Sequence, residues 1–538
     1  MPKSYGEKNQ PFWSRLASIS PWVLSLVSAV MLVLAFPYPG IFPLAWIGMI
    51  PLFKAIGEKT PSRAFRLGWG AGLVFNLGLI YWIVVAVHVY GGASLLVAIL
   101  PLLLLSAYLA LFWGIFAWGL RFSAARLRIP FFLSAPFLWV GLEYVRSFFW
   151  IGFPWESLGY SQFRWLALIQ VSEITGVYGI SFLLVLANAV GADGIRWLRG
   201  QVRGRTLAFE LTILLCLWGG CLLFGELRLS GLQKWAQRGT EIRVALIQGN
   251  VEQDIKWRPE FQEETVKIYL GLSRAAAAAG ADLLIWPETA TPFYYEMDRD
   301  FRPRIKATIK ETGVPLLFGS PGLDPPEKTG TGDYRYFNSA FFLDASGTET
   351  GRYDKIHLVP FSEYPPLPWL LGGLTHFMEG MGDFTAGRDL KTLNFRDQAI
   401  GVLICYEAIF PDQVRRLVAK GATFLVNITN DAWFGKTSAP FQHHSMVVFR
   451  AVENRVPVAR AANTGISSVI GWDGRIGRKT GIFTREFLVD RIRTNPAGGK
   501  TFYTRHGDFF AKVIMALALV LLAGAGARKE GKGRVPGA

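Results

Sequence analysis

Three side chains in this sequence have the types needed to carry an acyl group as a thioester: Glu288, Lys355 and Cys405. A cysteine thiol, with an ordinary pKa of about 8.5, is a modest nucleophile until its proton is removed. A carboxylate within hydrogen-bond reach removes that proton, and a lysine ammonium stabilises the negative charge on an attacked carbonyl oxygen. Cysteine is scarce here. Cys216 and Cys221 lie inside an apolar run at 208–225, and Cys405 alone stands in a water-soluble context. The three residues are far apart along the chain, so type and spacing leave Cys405 either a packing residue or a nucleophile.

Each of the three sits where an element ends. The stretch 399–404 is apolar and β-branched and reads as a buried strand that delivers Cys405, Tyr406 and Glu407 at its C-terminal end. Residues 282–286 form a second strand, and Pro287 stiffens the exit before Glu288. Lys355 interrupts a strand-like stretch at 353–361. Around them, strands are expected at 242–249, 314–319, 338–343, 422–429, 456–471 and 486–493, and helices at 259–280, 301–312, 411–420 and 440–454. That order predicts an α/β domain with hairpins where glycine and Asp-Gly recur. No glycine-rich dinucleotide fingerprint or phosphate-binding loop is present. Segments 321–332 and 364–373, rich in glycine and proline, read as flexible connectors.

The rest of the chain is unlike a soluble protein. Of 538 residues, 51% are hydrophobic and only 18% charged, with the apolar excess concentrated before residue 227. Eight segments approach bilayer-spanning length, at about 17–35, 39–56, 68–88, 92–118, 130–148, 165–192, 207–225 and 509–526. Pro39, Pro43 and Pro51 point to a short, broken or re-entrant second segment, and the sixth includes an interfacial portion. Lysines and arginines gather in alternate connections: Lys3 to Arg15, Lys54 to Arg66, Arg121 to Arg128, Arg196 to Arg205, and Arg528 to Arg534 in the tail. The positive-inside rule puts those loops and both termini in the cytoplasm and the α/β domain outside. The expected organisation is a transmembrane domain over 1–226, a catalytic domain over 227–508, and an eighth helix with a basic cytoplasmic tail over 509–538. The formal charge of +16 gathers in these loops, which argues against a nucleic-acid partner. No run of intramembrane acids suggests transport.

Trp286-Pro-Glu288, Lys355-Ile-His-Leu-Val-Pro-Phe361 and Cys405-Tyr-Glu407 resemble the Glu, Lys and Cys boxes of the nitrilase (carbon–nitrogen hydrolase) superfamily. The resemblance implies a four-layer α-β-β-α sandwich in which Glu288 is the general base, Lys355 the oxyanion support and Cys405 the nucleophile, with Glu363 supporting the site. Nearly all of residues 10–526 is similar to the membrane-bound branch of that superfamily, the apolipoprotein N-acyltransferases. The likeness includes 153–162, 247–250 with Trp257, 427–435, 450–455 and 460–465. Ser362 stands where that branch has glycine. The branch implies that an sn-1 acyl chain passes from a glycerophospholipid, through a Cys405 thioester, to the α-amine of a diacylated apolipoprotein. The setting implied is the periplasmic face of a bacterial inner membrane, with no metal or diffusible cofactor and a monomeric enzyme. Two other readings stay open: a membrane-tethered amidase or nitrilase that hydrolyses its thioester, and a non-enzymatic transporter or scaffold.

Further residues have expected places around such a site. Tyr406 packs beside the thioester, and Glu407 orients Lys355 or pins a loop. Trp257 gates or lines the lipid site, Phe293 and Tyr294 line an acyl pocket, and Trp433 and Phe434 belong to a mobile hydrophobic lip. Glu143 and Arg146, three apart, pair on one helix face. The aromatic loop at 152–160, with Trp155, is either an interfacial anchoring belt or the wall of a lipid entrance. His443 and His444 lack metal-ligand spacing and are expected to be solvated or capping.

Overall fold

The computed structural model describes residues 19–528 apart from 151, 237–238, 330–332, 361, 365–383 and 496–498. Its first half is helical: α1 (Pro21–Ala35), α2 (Pro61–Leu79), α3 (Leu95–Leu127), α4 (Phe131–Arg146), α5 (Tyr178–Leu198) and α6 (Gly204–Ala236). Among the described residues, four helices are long and apolar enough to cross a bilayer: α3, α5, most of α6, and Phe509–Ala527. A fifth exists if α2 and Trp82–Tyr90, which meet at a 47° bend, form one span. Leu96, Leu100, Leu104 and Leu111 stand outward along one side of α3, as a lipid-facing stripe requires. On its inner side α3 lies close to α2, because Gly72 leaves room for Trp113; a Cβ there would sit 2.6 Å from the indole. The proline-rich second segment is broken into a 3₁₀ turn (Phe42–Trp46) and a short helix (Ile50–Ile56). The sixth divides into Leu166–Ile169, Ser172–Thr175 and then α5.

Strand alternation builds the second half. One sheet has the order β12-β1-β2-β3-β4-β5, from β1 (Glu241–Gln248), β2 (Leu283–Ile285), β3 (Leu316–Asp324), β4 (Arg335–Leu343), β5 (Glu349–Asp354) and β12 (Glu486–Arg493). The other has the order β11-β10-β9-β8-β7-β6, from β6 (Thr392–Phe395), β7 (Gln398–Ile404), β8 (Phe424–Thr429), β9 (Val458–Ala462), β10 (Ser468–Ile470) and β11 (Ile476–Lys479). The central pairs are parallel in both.

The sheets lie face to face. Val244, Leu246, Ile285 and Leu317 on one, and Val402, Ile404, Val426 and Ile428 on the other, form a shared inter-sheet core. The opposite parity of the first sheet, including Ala245, Leu284 and Phe318, packs with α7 (Pro259–Ala278) and α8 (Phe301–Thr312). Leu403, Leu425 and Val458 of the second sheet pack with α9 (Pro411–Ala419) and α10 (Ala439–Asn454). The α-β-β-α order matches the sandwich expected from the resemblance. The outer layer made by α9 and α10 is also part of the membrane helices' core: one apolar cluster runs from Leu32 and Trp113 through Trp155 to Val447 and Leu425.

The connector expected at 321–332 is different. β3 continues through Pro321 to Asp324, paired with β4 from Asn338 to Arg335, because β4 offers a full antiparallel edge. Of 364–373, all but Tyr364 lies outside the described residues.

Candidate active site

Three strand ends converge between the sheets. Glu288 follows β2, Lys355 follows β5 and Cys405 follows β7. Glu288 Oε1 accepts hydrogen bonds from Lys355 Nζ at 3.3 Å and Asn338 Nδ2 at 2.7 Å, while Oε2 accepts the Asn430 backbone N–H at 2.9 Å. The Cys405 thiol lies near enough to the same carboxylate for each to shift the other's titration.

The charges decide the resting protonation. Burial works against an ionised Glu288, yet the Lys355 ammonium and the Asn338 amide overcome it and hold the carboxyl below its ordinary range. Burial likewise opposes a charged Lys355, but Glu363 and Glu288 keep it an ammonium well beyond its usual range. Burial and the nearby Glu288 charge push the Cys405 thiol up, more than Lys355 pulls it down. The resting site is therefore a thiol beside a carboxylate, an arrangement in which the carboxylate can take the proton of an attacking sulfur.

Two more glutamates hold this geometry. Glu363 Oε1 accepts from Lys355 Nζ and Asn338 Nδ2, both at 2.8 Å, and its Oε2 accepts from Val359 N at 2.8 Å. Glu407 Oε1 accepts from Ile356 N at 2.7 Å, Gln413 Nε2 at 2.7 Å and Tyr353 OH at 2.9 Å, and its Oε2 accepts from Ile404 N at 2.8 Å. Glu407 thus ties the backbone after Lys355 to the strand end before Cys405. Tyr406 rests edge-on against Phe410 at 5.0 Å.

Cys405 has a left-handed backbone, φ 51°, which a side chain with a Cβ adopts at a cost of about 1–2 kcal/mol. Its carbonyl is held by His443 Nε2 at 3.2 Å and by Asn427 Nδ2 at 3.5 Å. Burial and the nearby Arg460 charge push His443 below its ordinary pKa, against the pull of Asp431, whose Oδ1 lies 3.2 Å from His443 Nδ1. Behind it, Arg460 Nη2 meets Asp431 Oδ2 at 2.7 Å and His443 Nδ1 at 3.2 Å, and Nη1 donates to Asn427 Oδ1. The solvated or capping role expected for the two histidines is incorrect. Both are buried, and His444 Nε2 meets Ser468 Oγ at 2.7 Å. Sequence reasoning also missed Asn338, which bridges both glutamates; its only sequence signal is an amide at the start of an apolar strand.

Comparison with known proteins agrees with this architecture. The model for the apolipoprotein N-acyltransferase N-terminal domain matches residues 28–190, and that for carbon-nitrogen hydrolase matches 243–495. An apolipoprotein N-acyltransferase of Geobacter metallireducens is 46% identical over 95% of this chain and 96% of its own. This chain belongs to the apolipoprotein N-acyltransferase family. Relatives of the same name from Methylococcus capsulatus and Azotobacter vinelandii are 35% and 34% identical, over 90% and 96% of this chain and 92% and 96% of theirs. Among solved structures, an amidase from Nesterenkonia sp. is 22% identical over 51% of this chain and 93% of its own, with a TM-score of 0.37, too low to bear on function.

In this apolipoprotein N-acyltransferase family member the outlying candidates fall in several places. Glu143 and Arg146 do not pair. Glu143 Oε1 accepts from Leu158 N at 2.7 Å and Arg146 Nη2 donates to Ser157 Oγ at 3.3 Å, because the folded-back loop supplies nearer partners than the helix face. Trp155 is buried and donates its indole N–H to Gln442 Oε1 at 2.9 Å, which joins the two halves and keeps this side chain out of an interfacial belt. Phe293 packs with Phe301 in the core under α7 and α8. Tyr294 is 38% exposed beside Tyr336, and Trp257 is 46% exposed. Trp433 and Phe434 lie against Trp82–Tyr90, the second limb of the bent helix pair, Trp433 on Tyr90 at 6.4 Å and Phe434 on Trp82 at 4.9 Å. The turn that supplies the Asn430 N–H to Glu288 therefore runs straight into membrane-helix contacts.

Proposed function

We propose that this protein acylates the N-terminal cysteine of diacylated apolipoproteins with the sn-1 chain of a glycerophospholipid, in two half-reactions. Cys405 Sγ attacks the ester carbonyl carbon while its proton passes to Glu288. Lys355 stabilises the tetrahedral oxyanion. Collapse breaks the acyl–oxygen bond, Glu288 protonates the departing glycerol oxygen, and lysophospholipid leaves a Cys405 thioester. The acceptor's α-amine then attacks the thioester, Glu288 takes its proton, and the thiol is restored as the amide forms. The observation that carries this reading is the buried cluster itself: Glu288 bonded to Lys355 Nζ and Asn338 beside Cys405, and held by the Asn430 N–H of a turn that runs on to Trp433 and Phe434 against Tyr90 and Trp82.

We further infer that the chain crosses a bacterial inner membrane eight times, with both termini cytoplasmic and residues 227–508 as a periplasmic catalytic domain. The alternating basic loops support this orientation. The protein works as a monomer in this reading. Full-length protein incubated with phosphatidylethanolamine labelled in its sn-1 chain and a diacylated lipopeptide tests it. The expected products are an amide-linked label and, without acceptor, a labelled protein that Cys405→Ala abolishes. Free labelled fatty acid as the sole product would instead make it a hydrolase, and undiminished labelling of Cys405→Ala would remove the nucleophile assignment.

A further inference from the structure

One buried cation has no part in the reaction as written. Lys256, at the end of the short helix Gln253–Lys256, is fully buried, and its Nζ donates to Thr289 Oγ1 at 2.8 Å. Thr289 follows Glu288 and is itself left-handed, φ 45°, a conformation a β-branched residue keeps only when its surroundings impose it. The same helix supports Glu288 from a second side. Gln253 Oε1 accepts from Asn430 Nδ2 at 2.6 Å, and the Asn430 N–H is the donor to Glu288 Oε2.

The charges around the site also leave a gap. Glu288 and Glu363, both buried, share a single ammonium, that of Lys355. The buried Arg460 is matched by Asp431 and has no charge to spare. We propose that Lys256 is a positioning residue for the general base: through Thr289 it fixes the turn that carries Glu288, and it supplies the second positive charge that balances the two buried glutamates.

The surroundings of Lys256 support this. Burial pushes its pKa down to about 7, and Glu288 is the charge that draws it back up. Glu252 on its own segment and Glu260 and Glu264 on α7 point to solvent, while Thr289 and Gln253 are neutral. Among the described residues the one hydrogen-bond partner of Lys256 Nζ is the neutral Thr289, a costly way to bury a lysine, and an apolar residue of similar length would cost less. Its presence is therefore explained by the field it exerts on Glu288 rather than by stability. The proposal rests on the reading of Glu288 as general base.

The test is the pH profile of thioester formation by the full-length protein, with sn-1-labelled phosphatidylethanolamine and no acceptor, in Lys256→Met and Lys256→Gln. Both variants lose the charge, and Gln keeps an N–H for Thr289. Loss of a facing positive charge raises the Glu288 pKa, so the acid limb should move up by about one pH unit in both. The deficit should then be about tenfold on the acid side and narrow at pH 8. Thermal midpoints should be unchanged or higher. An unshifted profile, whether the rate falls uniformly or not at all, would overturn the proposal, as would variants whose melting collapses. Glu288→Gln, run alongside, isolates the underlying reading: normal thioester formation in that variant would remove the base itself, whatever Lys256 does.

Discussion

Cys405 is not a thiolate waiting for substrate. Its thiol is held up by burial and by the Glu288 carboxylate; in the proposed reaction Glu288 takes its proton, so the rate depends on how much of Glu288 is ionised. Glu288 has a lowered pKa; its activity is present above that value and lost as pH falls through it. Lys355 has a raised pKa, so its ammonium persists as pH rises. Thioester formation should be level from about pH 5.5 to pH 9 and fall only near or below the ordinary carboxylate value of about 4.3. A single-turnover profile with labelled phospholipid checks this, and an acid limb near neutrality would show that Lys355 does not govern Glu288. At this scale much was legible. The Glu, Lys and Cys boxes are contiguous runs at strand ends, and Glu407 stands within one of them. Asn338 and Lys256 were not legible, because an amide and a lysine betray their burial only when the fold encloses them.

The element that most affects the nucleophile after its own strand is α10. Nearly every residue from Ala439 to Asn454 is buried, including Gln442, His443, His444, Arg450 and Glu453. In a sequence, such polar residues on a helix read as a solvated face, which is why the two histidines misled. Here both sides of the helix are covered, one by β8 and β9 and the other by the membrane half, and the polar groups must find partners inside. His443 Nε2 stands 3.2 Å from the Cys405 carbonyl oxygen. His443→Phe keeps a ring of similar size but leaves that carbonyl and Arg460 short of a partner, a cost of about 1–3 kcal/mol. We expect thioester formation to slow by about ten- to a hundredfold while the phospholipid KM stays near its original value; a rate equal to that of the unaltered protein would show that the Cys405 turn holds without it. The short edge strands β6 and β11 were also missed, since few residues and one-sided pairing leave little alternation to read.

At the scale of the whole molecule, the division into a membrane part and a catalytic part is visible in composition, but the interface between them is not. Hydropathy marks where segments are apolar and says nothing about which of them share a core. Gln442 Oε1 accepts the indole N–H groups of both Trp82 and Trp155, at 3.1 and 2.9 Å, and Arg455 is enclosed by Glu173 and Gln170 from the helical half. A fragment starting near residue 240 would expose the apolar side of α9 and α10 and leave Arg455 without its carboxylate. It should be insoluble or aggregated when expressed alone; a monomeric, folded fragment by size exclusion and circular dichroism would contradict a shared core. The neighbour of His443 in sequence thus hangs from two tryptophans of the helical half. Lateral pressure in the bilayer, and the detergent that replaces it in a purified sample, therefore become chemical variables of the Cys405 thiol: a squeeze that tilts the bent helix pulls on Gln442, next in the chain to the histidine that holds the Cys405 carbonyl.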